Sequence, residues 1–122
     1  MPIIDIELVC ASDRQFASVS AQSLADAIAD ILGTPPGRTW TRLRKLDAAS
    51  YAENHVALDP ERLPVFVTVL HAHPPEDKQR AAEVAALTEA VARQVGRPAD
   101  RVHVRYAPAA AGRQAFGGRL VE

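Results

Sequence analysis

The chain repeats its own plan once, and this repetition limits the folds open to it. Each copy begins with a strand-like run rich in β-branched residues that opens at a proline, Pro2 in the first copy and Pro64 in the second. A helical stretch follows in both copies and ends on matching punctuation, Leu32–Pro35 against Val95–Pro98, with one residue of slippage. Internal repetition of this length is typical of duplicated supersecondary units that share one core.

Hydrophobic periodicity predicts the order β-α-β in each copy. In the first, Pro2–Val9 is predicted as a strand, one helix begins at the capping-box signature of Ser12 and Gln15 and continues through Ile31, and Thr39–Leu46 forms the next strand. The second copy is predicted to contain a strand over Leu63–Leu70, a helix opened by Pro75–Asp77 and a strand over Arg101–Tyr106.

Parallel strands joined by a crossover helix place one helix of each copy on the same side of the sheet. We therefore expect an α/β (α+β) fold, in which tandem β-α-β repeats form a four-stranded mixed sheet with two helices on one face. A chain of 122 residues suits one domain, with repeats at about 2–60 and 64–122. The other sheet face, which carries Trp40 and Thr68, is predicted to be too apolar to remain fully exposed and to be covered by oligomerisation.

Composition argues against several classes of partner. The 14 Lys and Arg residues nearly balance 15 Asp and Glu residues, so no global field attracts nucleic acid or an anionic membrane. Asp5 and Glu7 interrupt any signal-peptide core, and no apolar run approaches the length of a membrane span. Cys10 is the single cysteine and is predicted to be a buried apolar side chain. We expect a cytoplasmic protein.

Three features together resemble a known family: the Met1–Pro2 start, the second copy that begins Leu63–Pro64, and the tail Ala115–Leu120 with its Gly117–Gly118 pair. The pattern is similar to the tautomerase superfamily in its double-length members, such as fused 4-oxalocrotonate tautomerase (4-OT), malonate semialdehyde decarboxylase and cis-3-chloroacrylic acid dehalogenase. The resemblance covers nearly the whole chain. It implies a homotrimer, a site near each mature N-terminus and no cofactor.

The resemblance makes Pro2 the expected catalytic base. Removal of Met1 would leave a secondary amine, whereas Pro64 is an internal amide without a basic nitrogen. An α-amino group has a reference pKa of about 7.7–8.0, and nearby cations with partial desolvation would lower that pKa toward neutrality. For an arbitrary Met-Pro start, a proline that merely begins a strand is the commoner interpretation. The repeat and the tail favour the catalytic one.

Arginines are the first candidates for holding a substrate carboxylate, because the guanidinium group can grip it with two hydrogen bonds. Arg42 and Arg44 share a strand face with Trp40, and Arg105 occupies the second-copy position that matches Arg42. The alternative is a row of arginines on a solvated strand edge.

His71 and His73 end the strand that begins near Pro64, and alternation puts both on one face. In the decarboxylase and the dehalogenase this strand end carries two arginines beside the catalytic proline, so the resemblance implies that the histidines are supporting donors that bind an anion better when protonated. The alternative is a pair of polar residues at a loop entry. A His-x-His metal site is disfavoured, because no third and fourth ligand lies at a recognised spacing.

The predicted function is that of a tautomerase, an isomerase that uses Pro2 on a small 2-oxo or 2-hydroxy-enoic carboxylate. The resemblance leaves two alternatives, a hydratase or dehalogenase acting on a short unsaturated acid and a non-catalytic trimeric binding protein. The acidic residue of the decarboxylase aligns near Gly37–Arg38 and the glutamate of the dehalogenase near Gln114–Phe116, and neither stretch contains a carboxylate. The substrate therefore stays unassigned.

Overall fold

The computed structural model describes residues 1–122 and contains one four-stranded sheet. Its strands are β1 (Ile3–Cys10), β2 (Trp40–Asp47), β3 (Val65–Leu70) and β4 (Val102–Tyr106). They lie in the order β2-β1-β3-β4, with β1 parallel to β2, β3 parallel to β4, and β1 antiparallel to β3. The predicted mixed sheet of two β-α-β units is confirmed.

The helices are α1 (Asp13–Ala17), α2 (Ala21–Leu32) and α3 (Asp77–Val95). The prediction of one helix between the first two strands was wrong, since the chain breaks between α1 and α2. Ser12 caps α1 by accepting a 3.3 Å hydrogen bond from the backbone N–H of Gln15, as the capping-box signature predicted. Ser20 then adopts an extended conformation and caps α2 through the N–H of Ser23, so a second helix start interrupts the first helix.

Both long helices end where the glycines predicted. Gly33 and Gly96 adopt left-handed conformations with φ of 67° and 68°, and each donates its N–H to a carbonyl in the last helical turn. A residue with a Cβ atom would be strained there, so glycine sets the same end point in both copies.

The core lies between one face of the sheet and the two long helices. Alternate residues of β1 and β3 are at most 1% exposed, and they pack against four fully or nearly fully buried side chains of α2 and α3. The strand residues are Ile4, Ile6, Leu8, Val65, Val67 and Val69, and the helix residues are Leu24, Ile28, Leu87 and Val91. Cys10 belongs to the same core, as predicted, and burial raises the pKa of its thiol.

No helix of the chain covers the other face of the sheet, which we call the open face. It carries Ile3, Asp5 and Glu7 of β1, which pair in that order with Trp40, Arg42 and Arg44 of β2. The prediction overstated how apolar the open face is. The alternation that buries Ile4, Ile6 and Leu8 directs the intervening Asp5 and Glu7 to this face.

The tail forms a small hairpin that the periodicity did not predict. Its two strands are β5 (Ala115–Phe116) and β6 (Arg119–Leu120), joined through Gly117 and Gly118, which both have positive φ.

None of the helices combines the length and the apolar character that a membrane crossing requires.

We predict a large difference between two identical substitutions. Leu24 is 0% exposed and Leu120 is 63% exposed. Leu24→Ala should lower the free energy of unfolding by about 2–5 kcal/mol because it leaves a cavity in the core, whereas Leu120→Ala should change it by less than about 0.5 kcal/mol. Chemical denaturation of both variants measures this, and equal effects would contradict the assigned core.

Candidate active site

Pro2 lies immediately before β1 and is buried. Its carbonyl oxygen accepts a 3.1 Å hydrogen bond from the backbone N–H of Trp40, which continues the β1–β2 pairing. Alternation along β1 puts the proline ring on the same sheet face as Ile4, the face that the helices cover. Backbone geometry therefore holds Pro2 at the end of the strand on the helix-covered side.

Pro64 has the corresponding place in the second copy. It is also buried, and its carbonyl accepts a 3.2 Å hydrogen bond from the N–H of Val9. The two prolines share a backbone role but differ in chemistry. Cleavage of the bond to Met1 would expose the nitrogen of Pro2, whereas the nitrogen of Pro64 stays an amide inside the chain.

His71 directly follows β3, whose last residue pairs with the first residue of β1. The β1–β3 register pairs Ile3 with Leu70, so continuing it by one position sets Pro2 opposite His71. Residues opposed in this way on one face of an antiparallel pair have Cβ atoms about 4.5–5.5 Å apart. The side chain of His71 is 13% exposed and contacts α3, so it belongs to the helix-covered face.

Three side chains form a hydrogen-bond network on this face, which we call the His71–Glu83–Tyr106 network. Nε2 of His71 lies 2.9 Å from Oε2 of Glu83, and the hydroxyl of Tyr106 donates to the same oxygen at 2.6 Å. The two rings are stacked with their centroids 6.0 Å apart. The network links α3 to the ends of β3 and β4 next to the position opposite Pro2.

The environment of Tyr106 keeps its phenol protonated. Burial raises the pKa of Tyr106 far above its ordinary value, and the hydrogen bond and negative charge of Glu83 raise this pKa further. The guanidinium carbon of Arg80 lies 5.9 Å from the ring centroid, and its positive charge opposes the rise. Tyr106 is thus a fixed donor to Glu83 at neutral pH.

Aromatic side chains lie on the other side of Pro2. Trp40 stacks on Phe116 of the tail, with centroids 4.7 Å apart and an interplanar angle of 23°. Both rings line a cleft of about 680 Å³ along β2, together with Ile3, Arg42 and small residues of α2. The small residues are Ala21, Ala25 and Ala29. Because Ile3 follows Pro2 and Trp40 is hydrogen-bonded to it, this cleft is adjacent to the proline.

The arginines of the open face are partly neutralised. Arg42 donates to both carboxylate oxygens of Asp5, at 2.5 and 2.8 Å, and this grip lowers the pKa of Asp5. Arg44 is 3.9 Å from the same carboxylate. Arg105 donates to the hydroxyl of Thr68 at 3.0 Å and has no acidic partner. A cleft of about 450 Å³ on this face is lined by Arg44 and Arg105.

The predicted site residues lie on both sides of the sheet. Arg42, Arg44 and Arg105 project from the open face, whereas Pro2 and His71 belong to the helix-covered face. Of the three arginines, only Arg42 lines the cleft beside Pro2. Arg105 is on β4, two strands away from β1, so the structure does not bring it to the Pro2 of its own chain.

His73 lies beyond the end of β3 and is exposed. Its Nε2 atom is 3.1 Å from the backbone oxygen of Glu122, so it contacts the tail. His71 and His73 therefore have separate partners within the chain.

Sequence reasoning did not select Glu83, Tyr106 or Phe116 as site residues. Glu83 precedes the buried Leu87 by four positions and Val91 by eight, which places a carboxylate on the sheet-facing stripe of α3. An acidic residue in such a stripe indicates a polar partner on the sheet. That signal could have identified Glu83, although not the residues that it contacts.

Comparison with solved structures reveals extensive similarity at low sequence identity. A fused 4-OT described as an asymmetric trimer superposes with a TM-score of 0.74 and 22% identity, over 97% of this chain and 94% of that one. Pt0534, solved after inactivation by 2-oxo-3-pentynoate, gives a TM-score of 0.73 and 21% identity, over 97% and 95% of the two chains. Malonate semialdehyde decarboxylase gives 0.65 and 21%, over 96% and 92%.

The chain has the fold of the tautomerase superfamily. The expectation that the resemblance raised for the fold is confirmed over nearly the whole chain. No protein-family model and no curated protein sequence matches it.

We predict that Tyr106 ionises well above the pH at which a free tyrosine does. The chain has two tyrosines, so Tyr51→Phe leaves the phenol of Tyr106 as the one that an ultraviolet titration reports. Its midpoint should exceed the free value of about 10. Adding Glu83→Gln should lower the midpoint without restoring the free value, because burial is the larger cause of the raised pKa.

The raised pKa of Tyr106 also determines how the stability of the fold changes with pH. The protonated phenol contributes its full stabilisation below about pH 10, and this contribution is lost as the pH rises toward the folded-state pKa. A titration midpoint at the free value, with the protein still folded, would contradict the burial and the contact with Glu83.

Proposed function

We propose that the protein is a tautomerase that acts on a small 2-oxo or 2-hydroxy-enoic carboxylate, with the nitrogen of Pro2 as general base and then general acid. One observation carries the proposal: a buried proline at the second position of a tautomerase-superfamily fold directly precedes β1, whose partner strand β3 leads into His71. His71 is in turn hydrogen-bonded to Glu83. Removal of Met1 is required, because a retained Met1 would keep the nitrogen of Pro2 as an amide.

The chemistry follows from the properties of a secondary amine. A neutral proline nitrogen has a lone pair that can take a proton from a carbon next to a carbonyl group, and the resulting ammonium can return the proton to another carbon. Burial disfavours the charged form of an amine, which favours a base that is neutral near physiological pH.

The enolate and the carboxylate of the substrate require positive charge or donors. Arg42 supports the proposal because it lines the cleft beside Pro2 and presents a planar guanidinium group. We propose that Arg42 binds the carboxylate, with Trp40 and Phe116 as an apolar wall for the rest of the substrate. His71 and His73 remain proposed supporting groups.

Arg44 and Arg105 do not line the cleft beside Pro2, so we expect any role that they have in a site to be in a neighbouring copy. We propose a homotrimer in which these cations extend toward adjacent chains. The similarity to a fused 4-OT that is a trimer supports this assembly.

The proposal predicts that processed protein accelerates keto–enol exchange of phenylpyruvate or 2-hydroxymuconate at neutral pH. Pro2→Ala should lower the rate on the order of 100-fold, because it replaces the secondary amine that acts as general base. Pro64→Ala is the matched control and should retain the rate if it folds, because its nitrogen is an amide. Equal rates for the unsubstituted protein and Pro2→Ala would refute the assignment.

Intact mass spectrometry of protein from native cells gives a second check. The mass should correspond to the chain without Met1, since proline at the second position permits removal of the methionine. Complete retention of Met1 would instead favour the non-catalytic trimeric binding protein.

A hydratase or dehalogenase reaction on a short unsaturated acid is the second candidate function. The structural similarity to malonate semialdehyde decarboxylase, an enzyme studied for decarboxylase and hydratase activities, supports it. In that reaction a cationic Pro2 would act as an acid rather than a base. Release of halide, or production of malonate semialdehyde, without any keto–enol exchange would favour this candidate.

A further inference from the structure

We propose that His71 is a second acid–base group of the site, with Glu83 and Tyr106 as positioning residues that leave its Nδ1 atom free to accept a proton from the substrate. This inference rests on the proposed function of Pro2 and gives His71 a different role from the supporting donor that the resemblance implied. It follows from the hydrogen atoms available in the His71–Glu83–Tyr106 network.

When the ring of His71 is neutral, the network admits only one arrangement of protons. Tyr106 must be the donor in its 2.6 Å contact with Oε2 of Glu83, because its phenol keeps its proton. A carboxylate that already accepts this bond can contact Nε2 of His71, at 2.9 Å, only by accepting again. Nε2 therefore carries the hydrogen, and Nδ1 of the neutral ring has the lone pair.

The Nδ1 atom is available to a ligand. It has no hydrogen-bond partner in the chain. It is also not fully buried, because the one fully buried side-chain nitrogen or oxygen atom that lacks a partner is Oγ1 of Thr41. Nδ1 thus keeps contact with solvent although the side chain of His71 is only 13% exposed. His71 lines neither of the two clefts described above, so the proposed step requires the enol oxygen of a substrate at Pro2 to extend to Nδ1 and replace that solvent.

A carboxylate lies against the ring of His71. The side chain of Glu83 is 17% exposed, and its Oε2 atom lies 2.9 Å from Nε2 of His71. The guanidinium carbon of Arg80 lies 5.9 Å from the centroid of the Tyr106 ring, so the network also has a cation at its edge.

The two groups divide one tautomerisation between them. In the direction from enol to ketone, the enol O–H bond breaks and its proton goes to Nδ1 of His71. The electron pair of that bond forms the carbonyl. Pro2 enters this direction of the reaction as an ammonium that has taken its proton from solvent, and the alkene electrons take that proton to form the new C–H bond. Water then transfers a proton from His71 to Pro2, which restores both groups without any further reactant.

Nuclear magnetic resonance tests the arrangement of protons independently of activity. Long-range ¹H–¹⁵N spectra of the processed protein, recorded where the imidazole is neutral and assigned by loss of signals in His71→Gln, should show a protonated Nε2 and an unprotonated Nδ1. Glu83→Leu, which removes the acceptor, should abolish that preference. Glu83→Gln should restore it, because the amide oxygen can accept both hydrogen bonds. Glu89→Leu, an exposed change on the same helix, is the control.

Kinetics on phenylpyruvate test the role in the reaction. His71→Gln should lower kcat on the order of 100-fold with little change in KM, Glu83→Leu should lower kcat as well, and Glu83→Gln should be intermediate. A protonated Nδ1 in the processed protein overturns the inference. An unchanged kcat in His71→Gln, measured while Pro2→Ala is inactive, also overturns the inference. A processed protein with no activity on any enol substrate overturns the proposed function itself.

Discussion

The antiparallel pairing of β1 with β3 joins the two copies of the chain, and the rest of the molecule depends on it. These central strands supply the fully buried row of Ile4 and Ile6 against Val67 and Val69, over which α2 and α3 pack. Because the pairing is antiparallel, each end of β1 meets the opposite end of β3. The same hydrophobic contact that closes the core therefore brings the residue after β3 to the start of β1, and places His71 across from Pro2.

The two ends of this pairing have similar backbones and different chemistry. At the Pro64 end, Arg97 donates to the carbonyl oxygen of Leu63 at 2.7 Å, and the thiol of Cys10 is buried with a raised pKa, so the polar groups serve the structure. At the Pro2 end, the Oε2 atom of Glu83 accepts a hydrogen bond from Tyr106 and contacts Nε2 of His71, and the proposed function assigns these groups to the site. Duplication supplies a symmetric scaffold, and under the proposed function only the Pro2 end would carry a reactive base.

Much of the fold could be predicted because local signals agreed with it. The faces of β1 and β2 followed from alternation, and Gly33 and Gly96 marked the helix ends. The break before α2 was missed, since a second serine cap at Ser20 competes with an otherwise continuous apolar stripe. The site was harder to predict, because Glu83 meets Tyr106 across 23 positions of sequence and the contact depends on how α3 crosses the sheet. Periodicity assigns a residue to a face but not to a partner on another element.

The central claim is that the nitrogen of Pro2 is free and reactive in the mature protein. Treatment with 2-oxo-3-pentynoate, which inactivated a structurally similar protein, tests this most directly when the modified residue is mapped by peptide mass spectrometry. We expect one adduct per chain, on the proline that begins the processed chain, and no such adduct on Pro64. Modification confined to Cys10 or to a histidine, with the N-terminal proline free and unmodified, would contradict it.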